Sequence, residues 1–257
     1  MALALTFLLG VWVGRRSTRP SAIAKVATKI DAARMHAIEM VTQPFAEKSP
    51  QFSGAGELEN FKATLGEEAQ KLNAEERKPL LAAKELVVKI QPQMAEYEAS
   101  LRELNAAGFV APATMKTQEE LRDRGTLVQR FNTANEALAD YFKNAESNYR
   151  AALERLGVAG NVKDGVLAGF RRGGNFDVNL KVHEANRQLA ATMMEMLKLL
   201  GREWGAWKTT GNNEVIFDHE EAVKEFETLQ GQLTAAAARE AAAEKELIER
   251  TAKTKKH

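Results

Sequence analysis

No cysteine occurs in the 257 residues. That excludes disulfides, thiolate metal sites, a cysteine nucleophile and the acylated cysteine of a lipoprotein N-terminus. Aromatics make up 7% of the chain and there are only six prolines, too few of either for a strand-rich fold. The abundant Ala, Glu, Leu and Lys are the residues of long helices. Neither charge sign dominates: thirty-six Lys and Arg face thirty-five Asp and Glu. No whole-molecule field therefore draws the chain to phosphate, and no nucleic-acid partner is expected.

Long uncharged runs are also scarce, and the one at the N-terminus stands out. Residues 2–14, ALALTFLLGVWVG, carry no charge and stop at Arg15, Arg16 and Arg19. A full span needs roughly 20 apolar residues, so this run is short for a transmembrane helix and close to a signal h-region. A cleaved signal needs a basic n-region and small residues before the cut, and both are missing. The reading is an uncleaved anchor, with Leu3, Leu5, Phe7, Leu8, Leu9, Val11, Trp12 and Val13 in lipid and the three arginines as its flank. A buried N-terminal helix is the alternative. Basic residues on the C-terminal flank alone put the body in the cytosol under the positive-inside rule, and basic residues upstream would reverse that.

Beyond the anchor the period is helical throughout. A first helix runs near 20–43, with Pro20 in its first turn and Pro44 after its end. Residues 49–56, SPQFSGAG, read as a loop, followed by a short helix through Leu58, Phe61, Leu65 and Leu72. Asn73 and Glu76 make a capping-box pattern for a helix near 74–107, whose seam is Leu80, Ala83, Val87, Ile90, Met94, Tyr97, Leu101 and Leu104. Within it Pro79 either sits in the first turn or splits that turn off, and Pro92 removes the bond to Val88.

The next helix, near 118–156, has Leu121, Val128, Asn135, Phe142, Tyr149 and Leu156 seven apart, with Phe131, Leu138, Ala145 and Ala152 between them. This is a coiled-coil-like seam about 60 Å long at roughly 1.5 Å per residue. Asn135, like Asn186 further on, is polar where an apolar residue is more stable. Such residues fix register or partner choice, and ligand binding is the sharper alternative.

Residues 157–177 hold six glycines and read as a solvated connection with a helical turn or two between Val162 and Phe170. Arg171, Arg172, Gly173 and Gly174 form only a weak anion signal. The helix near 178–208 carries the broadest apolar stripe: Val182, Leu189, Met193, Met196, Leu200 and Trp207, widened by Ala190, Leu197 and Trp204. It is expected to be the most buried of the bundle. A short extended stretch at 215–217 precedes a closing helix near 218–250. That helix buries Ala222, Phe226, Leu229 and Leu233 and then loses its apolar face. Residues 234–257 are therefore expected to project as a charged, Ala-rich tail that offers Leu247 and Ile248 to a partner helix.

No catalytic constellation emerges. His36, His183, His219 and His257 have neither the spacing nor the acidic partners of a bundle metal site, no serine occupies a nucleophile elbow, and no phosphate loop is present. No cofactor and no enzymatic activity are expected.

The runs LNAEERKPLLAAKELVVKIQPQM, FVAPATMKTQEELRDRGTLVQRFNTANEAL and LLGREWGAWKTTGNNEVIFDHEEAVKEFETL resemble a loosely defined family of bacterial envelope proteins. These are helical, lipoprotein-type or membrane-anchored, and of unknown function. The resemblance covers roughly residues 57–233 and supplies no catalytic residues. Lacking the acylated cysteine, this chain would use its apolar N-terminus as the anchor.

The expected architecture is an all-α, elongated antiparallel helix bundle with coiled-coil-like packing and an N-terminal apolar anchor. Its parts are an anchor at 1–19, a bundle at 20–233 and a tail at 234–257. The expected setting is the bacterial inner membrane with the bundle in the periplasm, in contact with lipid through the N-terminus and with a protein partner or a second copy. A cytosol-facing scaffold and a helical pore-forming or membrane-remodelling protein are the alternatives.

Overall fold

The computed structural model describes residues 54–210 and 214–254, and the 1–19 anchor with its flanking arginines lies outside them. The described chain is almost wholly helical. It runs α1 (Gly54–Gln70), α2 (Lys78–Ala106), a 3-10 turn (Pro112–Thr114), α3 (Gln118–Arg155), α4 (Gly160–Gly173), α5 (Phe176–Arg202), β1 (Trp207–Thr209), β2 (Val215–Phe217) and α6 (Glu220–Thr254). The all-α bundle expected from periodicity is what forms.

Helix boundaries follow local chemistry. The Asn73 side-chain carbonyl accepts from the backbone N–H of Glu75 and Glu76 at 3.0 and 2.9 Å, but it caps a separate turn. Pro79 has no N–H to continue the ladder, and α2 proper begins at Lys78. At the start of α3, Thr117 and Glu120 cap each other. The Glu120 N–H donates to the Thr117 hydroxyl at 3.1 Å, and the Glu120 carboxylate accepts from the Thr117 N–H at 2.9 Å. The α3 C-terminus closes on Gly157, whose φ of 65° is open to glycine without strain. There the Val158 N–H reaches the Leu153 carbonyl and the Gly157 N–H the Glu154 carbonyl.

The helices contribute to two compact units. The first takes its described residues from 54–95, Leu138–Leu180 and 244–254; the second consists of Glu96–Ala137 and Lys181–Ala243. Within the first, α2 and α3 are antiparallel: the Tyr141 hydroxyl donates to the Leu86 carbonyl and the Tyr149 hydroxyl to the Pro79 carbonyl. Tyr149 also packs on Phe170, centroids 4.7 Å apart, and Phe170 on Phe176. Within the second, α5 and α6 are antiparallel, since Arg202 pairs with Glu225 and Arg239 reaches Gln188. The α3 seam lines the core, with Val128, Phe131, Leu138, Phe142, Ala145, Tyr149 and Ala152 all buried. Helix α5 has the largest buried share of the long helices.

Three expectations are corrected. Residues 160–173 form a continuous helix rather than a turn or two, because Val166, Leu167 and Phe170 make a face that packs under Tyr149. Trp207 is not on α5. The helix stops at Arg202, Gly205 turns the chain with φ 89°, and Trp207 opens β1 opposite Phe217. Its seven-residue distance from Leu200 imitates a seam, but the indole N–H instead donates to the Leu200 carbonyl at 3.0 Å and satisfies a terminal helix acceptor.

The projecting tail is the third. Ala236, Ala243 and Leu247 are buried, so Leu247 is already covered by its own chain, while Ile248 remains 39% exposed. Leu229, Leu233, Ala236, Ala243 and Leu247 follow at steps of four, three, seven and four residues and so share one face, and alanines at two of them narrow the stripe without ending it. Arg250 adds an ion pair to Asp177 at 2.9 Å. Leu247→Ala should therefore lower the unfolding free energy in urea by about 2–5 kcal/mol. A freely projecting helix would give a change within about 0.5 kcal/mol.

Candidate functional site

The polar residues that interrupt the seams converge in the second unit. Asn135 comes from α3, His183 and Asn186 from one face of α5, and Tyr97 from α2. Their relative exposures are 1, 1, 1 and 2%. Asn135 Nδ2 donates to the His183 carbonyl at 2.9 Å, and Asn135 Oδ1 faces His183 Nδ1 at 2.8 Å. A backbone carbonyl only accepts, so the amide orientation is fixed. Oδ1 must then accept, and the ring carries its proton on Nδ1. Asn186 Nδ2 donates to the Tyr97 hydroxyl at 2.9 Å. The Tyr97 ring meets His183 edge-on with centroids 6.0 Å apart and tilts against Phe131 at 5.7 Å.

Burial disfavours the imidazolium and pushes the His183 pKa down to about 3. The ring is therefore neutral at ordinary pH, and its Nδ1–H is the donor to Asn135. Ser100, also buried, donates to the Tyr97 carbonyl at 2.9 Å. What the layer can do is mechanical: it ties α2, α3 and α5 at defined registers. A metal set needs convergent ligands, and among the described residues no group of three His, Asp or Glu side chains is arranged to hold an ion.

A second polar group lies where α5 meets the hairpin and α6. Glu203 accepts from His219 Nδ1 at 2.7 Å and from Arg202, which also pairs with Glu225 at 2.6 Å. Hydrogen bonding to Glu203 raises the pKa of the exposed His219, and the same contact, with Arg202, lowers that of Glu203. Trp204 and Trp207 stack edge-to-face at 5.6 Å, both half-buried.

Of the residues singled out in the sequence, Leu3, Leu5, Phe7, Leu8, Leu9, Val11, Trp12, Val13, Arg15, Arg16 and Arg19 lie outside the described residues, as do His36 and His257. Asn135 and Asn186 come together in one layer. Arg171 is committed to Glu146 at 2.7 and 2.5 Å. Sequence reasoning missed His183 and Tyr97 as partners of the asparagines. The legible signal was His183 three residues before Asn186, which puts both on one helix face. No family model, curated protein or solved structure matches this chain.

Asn135→Ala removes both bonds to His183 and should cost about 2–4 kcal/mol in urea unfolding, whereas Tyr97→Phe should cost about 1–2 kcal/mol. In the double variant of Tyr97→Phe with Asn186→Leu, the loss should fall short of the sum of the single losses, because one bond is counted twice. The exposed pair has its own pH signature. His219 has a raised folded pKa, so its contribution is complete below the unfolded value and disappears as pH rises through the folded one. Replacing His219 with Asn should abolish that small stability change, read by thermal melts across the neutral range.

Proposed function

We propose that this is a non-enzymatic helical-bundle protein of the bacterial cell envelope, tethered to the inner membrane by residues 2–14 and acting as a structural or binding module. The observation that carries this reading is the uncharged N-terminal run ending in Arg15, Arg16 and Arg19. No described helix is long and apolar enough to cross a membrane, and in this reading the tether is the N-terminal segment alone. The bundle supports a mechanical role. Its core asparagines are engaged with His183 and Tyr97, and ion pairs such as Arg130 with Glu96 and Glu103 cross between its helices.

In the preferred orientation the bundle faces the periplasm. The arginine flank favours a second reading, a cytosol-facing scaffold. Such a scaffold would have to recruit partners without Leu247, which is 0% exposed. The pore-forming reading has less support, because the apolar face of α4 is turned into the fold.

The chain has no native thiol, so a single cysteine at exposed Glu249 reports the side directly. Labelling by a membrane-impermeant maleimide once only the outer membrane is opened is the expected result. Labelling only after the inner membrane is lysed would put the bundle in the cytosol. Removing residues 1–19 should shift the folded bundle from the membrane to the soluble fraction, and an unchanged membrane fraction would end the tether reading.

A further inference from the structure

The layer of Tyr97, Asn135, His183 and Asn186 does more than fix register, because one of its four members, His183, can take up a proton in acid. We propose that it is an acid-sensitive latch: uptake of one proton by His183 favours an opened form of the second unit, in which the ring is hydrated. The geometry carries this. Nδ1 already bears the proton donated to Asn135 Oδ1, so a second proton has to go to Nε2, and the resulting cation would sit on a residue 1% exposed. Two uncharged side chains meet the ring in the described contacts, Asn135 from α3 and, edge-on, Tyr97 from α2. Opening exchanges this setting for water.

The charged groups nearby have other engagements. On α5, Glu184 is held by Arg187 and Gln188. On α3, Arg130 pairs with Glu96 and Glu103 of α2. Glu98 of α2, next to Tyr97, is itself buried and lies 3.9 Å from Arg102, so it needs its own control. His219 acts oppositely, since acid strengthens its pair with Glu203. The depressed pKa of His183 agrees in sign. A group held neutral in the closed form and free to charge in the open form favours opening as pH falls below its unfolded value, by tenfold per pH unit. The latch works on either side of the membrane and does not depend on the envelope reading.

The test is hydrogen exchange of the full chain, read by mass spectrometry and corrected for intrinsic rates. Between about pH 6 and about pH 4.5 the opening constant of segments 96–137 and 181–243 should rise roughly twentyfold. In His183→Asn, which keeps a donor toward Asn135 and cannot titrate, that rise should vanish; in Glu98→Gln it should persist. A flat wild-type profile, the same rise in His183→Asn, or its loss in Glu98→Gln overturns the proposal. Should His183→Asn fail to fold, nitrogen chemical shifts of the wild-type ring decide. Titration in the folded protein below about pH 5 supports the latch, and titration near the ordinary value of about 6.5 overturns it.

Discussion

An amide buried in a helical core is costly unless its donor and acceptor are both used. Asn135 spends one on the His183 carbonyl and the other on the His183 ring. Two bonds to one residue make a stricter constraint than two bonds to different residues, because neither survives a slip. A heptad seam of apolar side chains accepts a shift of seven residues with little loss. The Asn135 clamp does not, since the shift would leave an amide and an imidazole N–H facing hydrocarbon, at about 1–3 kcal/mol each. Asn186 does the same for α5 against α2 through the Tyr97 hydroxyl. The second unit thus has its three core helices indexed to one another by polar contacts and held by apolar ones.

The first unit solves the same problem with different chemistry. Tyr141 and Tyr149 send their hydroxyls to the Leu86 and Pro79 carbonyls of α2. Burial raises the pKa of both phenols, so they remain neutral donors. Tyr149 also provides the surface on which Phe170 rests, and through it α4 is docked rather than left as a loop. The contrast between the units follows from the donors. Phenols do not change charge in acid, whereas an imidazole does.

Charge plays a smaller part in holding the bundle. The pairs Arg130 with Glu96, Arg171 with Glu146, Arg202 with Glu225 and Arg250 with Asp177 all keep partners at least one third exposed. Such pairs contribute at most about 1 kcal/mol each and weaken with salt. They suit a near-neutral chain whose helices must pair in one order without offering a large field to any ligand. The proposed role as a tethered module calls for defined register more than chemistry, and register is what the polar core supplies.

Periodicity made most of the bundle legible. The α3 seam from Val128 to Ala152 follows from the sequence, as does the burial of Leu80 to Tyr97 in α2, because side chains three and four apart must share a face whatever they pack against. The two asparagines stood out for the same reason, being polar at apolar positions. Tertiary structure alone decided what they bond to, since Asn135 and His183 are 48 residues apart and no local spacing encodes that contact. It also decided where helices stop and which weak stripes are used. Trp207 sits at seam spacing yet turns away after Gly205, while alanines 236 and 243 look too small for a core but let α6 stay packed as far as Leu247. A residue's side of a helix is fixed by its neighbours in sequence; whether that side is covered depends on what the rest of the chain brings to it.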